Sequence, residues 1–163
     1  MSGDLPRSFK IVTFWLVLGA LVFLGVQWQG RREQEARLTV VGDIVNLERA
    51  RDGHYYWPGT LNGRRVVFLV DTGASRTAIP ASLARELDLA SEGEVRSNTA
   101  GGVVTGRLVR VDITLNGGVQ ARRRQAVALD GLGEEPLLGM DVLGRLRLEQ
   151  FDGVLRIDLR PER

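Results

Sequence analysis

The stretch Phe68-Leu69-Val70-Asp71-Thr72-Gly73-Ala74-Ser75 ends an apolar run in a carboxylate. With Val66 and Val67 just ahead of it, the run reads as a strand buried on both faces. An acid delivered to such a place loses hydration and needs compensation. Two uses suit it. It caps a turn through backbone N–H groups, or a low-dielectric site tunes its protonation for general acid–base chemistry. Thr72 sets a hydroxyl beside the acid, able to brace a neighbouring chain. Gly73 lets backbone approach the carboxylate and donate N–H bonds to it. Three residues recur by chance, so Asp-Thr-Gly alone does not separate the two uses.

Composition removes most rival chemistries. The 163 residues contain no Cys and one His, His54, which excludes thiol catalysis and disulfides and leaves almost no room for a Cys/His zinc site. No cofactor or metal is expected. The net charge of +2 is too small to argue for nucleic acid. A Ser75–His54–Asp triad is formally available, but Ser75 belongs to the loop that Asp71 already explains. His54 with Tyr55, Tyr56 and Trp57 reads as packing at the start of a hairpin rather than as a ligand platform. Arg122-Arg123-Arg124 reads as an exposed strand edge kept soluble by charge, with contact to anionic lipid as the other option.

The elements that must position Asp71 are short strands punctuated by Gly. Tyr55–Leu61 and Arg64–Val70 flank Asn62-Gly63, a strong hairpin signal. Val103–Leu115 and Val119–Leu129 flank Asn116-Gly117-Gly118, and Leu146–Phe151 and Val154–Leu159 flank Asp152-Gly153. Pro136–Gly139 is a further apolar strand. Pro80–Leu87 reads as one short helix with Pro80 at its first position. This pattern predicts an all-β barrel or sandwich with one or two short helices.

Ile11–Trp28 carries no charge. Its eighteen residues make roughly 27 Å of helix, about one hydrocarbon core. Trp28, Arg31 and Arg32 suit a membrane interface better than a signal-peptidase site, so an uncleaved transmembrane helix is expected. The expected organisation is a cytoplasmic tail over 1–10, the transmembrane helix over 11–28, a linker and first strand near Ile44–Leu47 within 29–52, and one domain over 53–163. Lys and Arg are nearly balanced on the two flanks. The short N-terminal tail is the easier part to leave in the cytoplasm, so an exported C-terminal domain is expected.

Val70-Asp71-Thr72-Gly73-Ala74-Ser75 resembles the active-site loop of the retropepsin-like aspartic proteases, and the chain from Tyr55 to Pro80 is similar to bacterial membrane-anchored members. Leu137-Leu138-Gly139-Met140-Asp141-Val142-Leu143 resembles the family's second signature, an apolar pair and Gly leading into a short helix. Ser97–Val103 falls where the family places its mobile flap. The resemblance implies a retropepsin-like closed β-barrel with Asp71, Thr72 and Gly73 as catalytic residues. It also implies substrate contacts from Ala74, Ser75, Ala100, Gly101 and Gly102. Retroviral members pair an acid after Ala with an Arg after Gly; here Ser75 and Met140 stand in those places, so both partners are missing together.

Chemistry of this kind needs two carboxylates sharing a proton around one water. No second Asp is followed by Thr or Ser and Gly. Asp141 is nearest by position, but Val142-Leu143 follow it, and its expected role is an N-terminal cap. The sequence supplies half a site, and a homodimer is expected to supply the rest, with the two Asp71 side chains meeting on the two-fold axis. The expected function is a membrane-anchored aspartic endopeptidase acting on polypeptide substrates. A non-catalytic module that binds a peptide or partner in the same cleft is the alternative, and a monomeric domain whose Asp-Thr-Gly caps a turn is a third.

Overall fold

The structure, a computed structural model, describes residues 38–99 and 102–160. The expected tail and transmembrane helix lie outside the described residues, as do Ala100 and Gly101. No helix among the described residues is long and apolar enough to cross a membrane. The strands are β1 (Leu38–Val41), β2 (Ile44–Glu48), β3 (Tyr56–Leu61), β4 (Arg64–Val70), β5 (Ala78–Pro80), β6 (Ser91–Thr99), β7 (Gly102–Leu115), β8 (Gln120–Leu129), β9 (Leu137–Leu138), β10 (Arg147–Phe151) and β11 (Val154–Asp158). Two short helices, α1 (Ala81–Glu86) and α2 (Met140–Leu143), interrupt them.

Asn62 and Gly63 both adopt positive φ, 49° and 83°, the two-residue turn whose twist matches the strands it joins. Asp152 and Gly153 repeat it at 46° and 75° between β10 and β11. The larger sheet runs β3-β4-β9-β5-β8-β7-β6, and a further pairing of β3 with β7 closes six of these strands into a barrel. Closure depends on Gly59. A methyl group there would lie 2.4 Å from the Thr114 carbonyl oxygen, so only glycine lets β3 meet β7 at the pair Gly59–Leu115. The long β7 serves three partners: Gly102–Val109 pair with β6, Arg107–Thr114 with β8, and Ile113–Leu115 with β3.

The second sheet is β1-β2-β11-β10. Val45, Leu47, Leu155 and Ile157 point inward and share one core with Trp57, Leu61, Phe68, Ile79, Val109 and Leu138. Alternation is clean in β11, where buried Leu155 and Ile157 bracket half-buried Arg156. Trp57 is fully buried, and its indole N–H donates to the Asn116 carbonyl at 2.8 Å.

Four local expectations change. The stretch 29–52 holds two strands rather than one: β1 pairs with β2 from Leu38–Leu47 to Val41–Ile44. Pro80 closes β5 and stands one residue ahead of α1, not inside it. In β4 only Phe68 is fully buried, while Val66, Val67, Leu69 and Val70 are half-buried, so the strand is not enclosed on both faces. Arg122–Arg124 do not alternate: two residues, Arg122 and Arg123, stand opposite Asp112, and Arg123 takes φ 52°. Arg124 thereby falls opposite buried Val111 and is half-buried itself.

Candidate active site

Asp71 follows the last residue of β4 and is half-buried. β4 is fixed there from two sides. Val70 N–H donates to the Tyr55 carbonyl at 2.9 Å, and Leu69 N–H to the Pro136 carbonyl at 2.9 Å. β9 runs parallel beside it, pairing Leu69 with Leu137 and Val70 with Leu138. Asp71 N–H then donates to the Leu138 carbonyl at 3.1 Å, and Ala74 N–H turns back to the Asp71 carbonyl at 3.3 Å. The Gly73 amide donates to Asp71 Oδ1 at 2.9 Å. A methyl on Gly73 would lie 3.2 Å from that oxygen, so glycine lets the backbone crowd the carboxylate it hydrogen-bonds.

The second signature lies directly against this loop. Met140 N–H donates to the Ala74 carbonyl at 2.8 Å. Gly139 precedes α2 as its N-cap, and no side chain caps the helix. Asp141 therefore does not cap α2 as expected. Its Oδ1 instead accepts from both the amide and the hydroxyl of Thr77, at 2.8 and 2.9 Å, across 64 residues of sequence. The physical reason is its place: in the first turn Asp141 faces the loop, and Gly139 already occupies the cap.

Of the remaining expected site residues, Thr72 and Ser75 are exposed, Ala74 is half-buried, and Gly102 is exposed at the head of β7 with φ 114°. Val103 beside it is 59% exposed. β6 and β7 form a hairpin arm in register from Thr99–Gly102 back to Gly93–Leu108. Val95, Val104 and Leu108 of this arm pack on buried Ala78, Val127 and Leu129, together with Leu132 and Leu137. Gly106 makes the contact close, since a methyl there would lie 2.5 Å from Val127 Cγ1. An apolar surface thus joins the arm to β5, β8 and β9, and Leu137 of that surface is the neighbour of Leu69, two residues before Asp71.

His54 is exposed rather than packed; its amide donates to Asp52 Oδ1 at 3.0 Å, while Tyr55, Tyr56 and Trp57 beside it are buried. The Tyr56 hydroxyl donates to Asp52 Oδ2 at 2.5 Å. That bond, seconded by the His54 amide, holds the Asp52 carboxyl below the usual range. Burial, with the Asp52 bond second, pushes the Tyr56 phenol well above its ordinary value. The sequence alone did not single out Thr77 or Asp52. Thr77 is a lone polar residue entering an apolar strand, Thr77-Ala78-Ile79, which is the signal that marks it.

The family model of gag-polyprotein aspartyl proteases matches residues 57–145 of the 163. The chain belongs to that family, the retropepsin-like aspartic proteases. Among solved structures, it is similar to a retropepsin-like aspartic protease from Rickettsia conorii, with 20% identity, 78% of this chain and 97% of that chain covered, and a TM-score of 0.57. It is also matched with the EIAV protease in complex with the inhibitor HBY-793, at 18% identity over 58% of this chain and 88% of that chain, TM-score 0.46. No curated protein matches the chain.

Proposed function

We propose that this chain is an aspartic endopeptidase, anchored in a membrane by Ile11–Trp28, whose site forms when two copies bring their Asp71 side chains together. The observation that carries the reading is the Asp71 loop itself: a half-buried acid at the end of a barrel strand, fed by the Gly73 amide and pinned to the second signature through Leu138 and Met140. One carboxylate takes a proton from water while the other, protonated, polarises the scissile carbonyl. Each chain carries one acid in such a loop, which supports a two-fold dimer. Exposed Thr72 is available to a neighbouring copy. An extended substrate would lie as a strand beneath the tip of the β6–β7 arm, held by main-chain hydrogen bonds with apolar pockets on alternate sides. Gly102, with φ 114° at the head of β7, would serve as a hinge for that arm.

Tethering would favour pairing by raising effective concentration in the membrane plane. The domain is proposed to stand on the periplasmic side of a bacterial inner membrane; digestion of the domain by protease added to spheroplasts supports this, and protection until lysis rejects it. For the chemistry, Asp71→Asn should lower peptide cleavage at least about a hundredfold while folding and dimerisation persist. Retained cleavage rejects the assignment. Peptide binding that survives Asp71→Asn, with no cleavage by the wild type from acid to neutral pH, favours a binding module instead.

A further inference from the structure

We propose that Asp141 is a positioning residue for the reaction: through Thr77 it fastens the far end of the Asp71 loop to the second signature. The proposal rests on the protease reading above. Thr77 is the one buried polar residue among the described residues, at 0% exposure, and every polar group it has is engaged. Its amide and hydroxyl donate to Asp141 Oδ1. Its Oγ1 in turn accepts from the Gly139 amide at 3.3 Å, and its carbonyl accepts from Val127 N–H at 3.0 Å.

The loop from Asp71 to Thr77 is therefore held at three points by the four residues 138–141. Its start is fixed by Asp71 N–H on the Leu138 carbonyl, and its middle by Met140 N–H on the Ala74 carbonyl. Its end is fixed by Asp141. Only the third point uses a side chain. A carboxylate is an unusual choice, because Asp141 Oδ2 is buried without a partner, and such an atom costs free energy. Oδ1 accepts two bonds at once, one from the amide and one from the hydroxyl of Thr77. An apolar residue at 141 would leave two buried donors of Thr77 unmet, so the loop would shift to find others. A displacement of the acid by about 1 Å is enough to cost roughly a hundredfold in rate.

The test uses the full-length protein in detergent, with Asp141→Ala, Asp141→Asn, Thr77→Val and the Asp141→Ala/Thr77→Val pair. Cleavage is expressed per active site titrated with a statine-type inhibitor, and amide hydrogen exchange is followed in the peptide covering 71–77. Asp141→Ala should lower kcat about tenfold or more with KM within about twofold, and speed exchange in 71–77 while β7 and β8 are unchanged. Asp141→Asn keeps the Oδ1 acceptor and should recover most of both losses. The pair should be no worse than Asp141→Ala alone, since both changes remove the same bonds. If Asp141→Ala keeps kcat per titrated site and leaves exchange in 71–77 unaltered, Asp141 only stabilises the fold and the proposal falls. A wild type that cleaves nothing rejects the protease reading; exchange in 71–77 then decides alone, and unaltered protection overturns the lock.

Discussion

Gly139 lies against the backbone of Arg76 so closely that a methyl group on it would sit 2.4 Å from the Arg76 carbonyl carbon and 2.6 Å from its oxygen. Two loops 63 residues apart in sequence are thus in backbone contact, and no side chain of any size fits between them. Gly139→Ala should lower stability by about 1–3 kcal/mol or more, read as the shift of the urea midpoint. A loss under about 0.5 kcal/mol would mean the loops separate freely.

The Tyr56–Asp52 bond predicts a stability difference that depends on pH. The Asp52 carboxyl is held low in the fold, so its share is present above the ordinary aspartate value of about 4 and fades as pH falls through the lowered one. The Tyr56 phenol is held high, so its share is present below about 10 and fades as pH rises beyond it. Wild type minus Tyr56→Phe should be flat at mid pH, on the order of 1 kcal/mol or less because Asp52 is exposed. It should shrink at both extremes. Denaturation curves across pH provide the check, and a difference that grows toward acid would contradict the bond.

Arg123 holds φ 52° at its bulge, with its amide donating to Asp112 Oδ1 at 2.6 Å. Glycine adopts that conformation without the side-chain clash, which costs roughly 1–2 kcal/mol in other residues. Arg123→Gly should be neutral or stabilising by up to about 1 kcal/mol, whereas Arg122→Gly, at an ordinary strand φ, should destabilise. Thermal melts of the two variants side by side give the answer, and equal losses would refute the assignment of strain to Arg123.

Burial of the Trp57 indole gives a fourth prediction. Trp57→Phe removes the donor to the Asn116 carbonyl and part of a fully buried ring. The expected loss is about 2–4 kcal/mol, joining a hydrogen bond to a cavity. Guanidinium unfolding followed by far-UV dichroism measures it; no change in midpoint would show that the core refills.

Proposed catalysis by paired Asp71 side chains makes activity depend on concentration. Cleavage per chain by the full-length protein in detergent should fall on dilution and return when the sample is reconcentrated. Activity per chain that is constant on dilution to fully monomeric protein would reject a shared site.

Much of the site was legible because its determinants are local. Val70–Ser75 and Leu137–Leu143 name the two loops that touch, and Asn62-Gly63 and Asp152-Gly153 name turns whose φ values demand those residues. What escaped depends on distant partners. β1 hides in a charged stretch because it is an edge of four residues, with Val40 43% and Val41 64% exposed, and shows no burial period. β6 carries one apolar side chain, Val95, among polar ones, so it shows no burial period and exists by pairing with β7. The bulge at Arg123 and the engagement of Asp141 by Thr77 are set by residues 11 and 64 positions away, on the far side of a turn in the first case and of most of the barrel in the second. Asp141 looked like a helix cap because its neighbours are the first turn of a helix.

The four-stranded sheet limits where the domain can be severed from whatever precedes it. β2 lies between β1 and β11, so the beginning and the end of the described chain are laced into one sheet, with Val45 and Leu47 opposite Ile157 and Leu155. A cut between Glu48 and Tyr56 would unravel that lacing and open the shared core to water. A cut that leaves both sheets whole must therefore fall upstream of Leu38, and a truncation begun at residue 53 would discard β1 and β2.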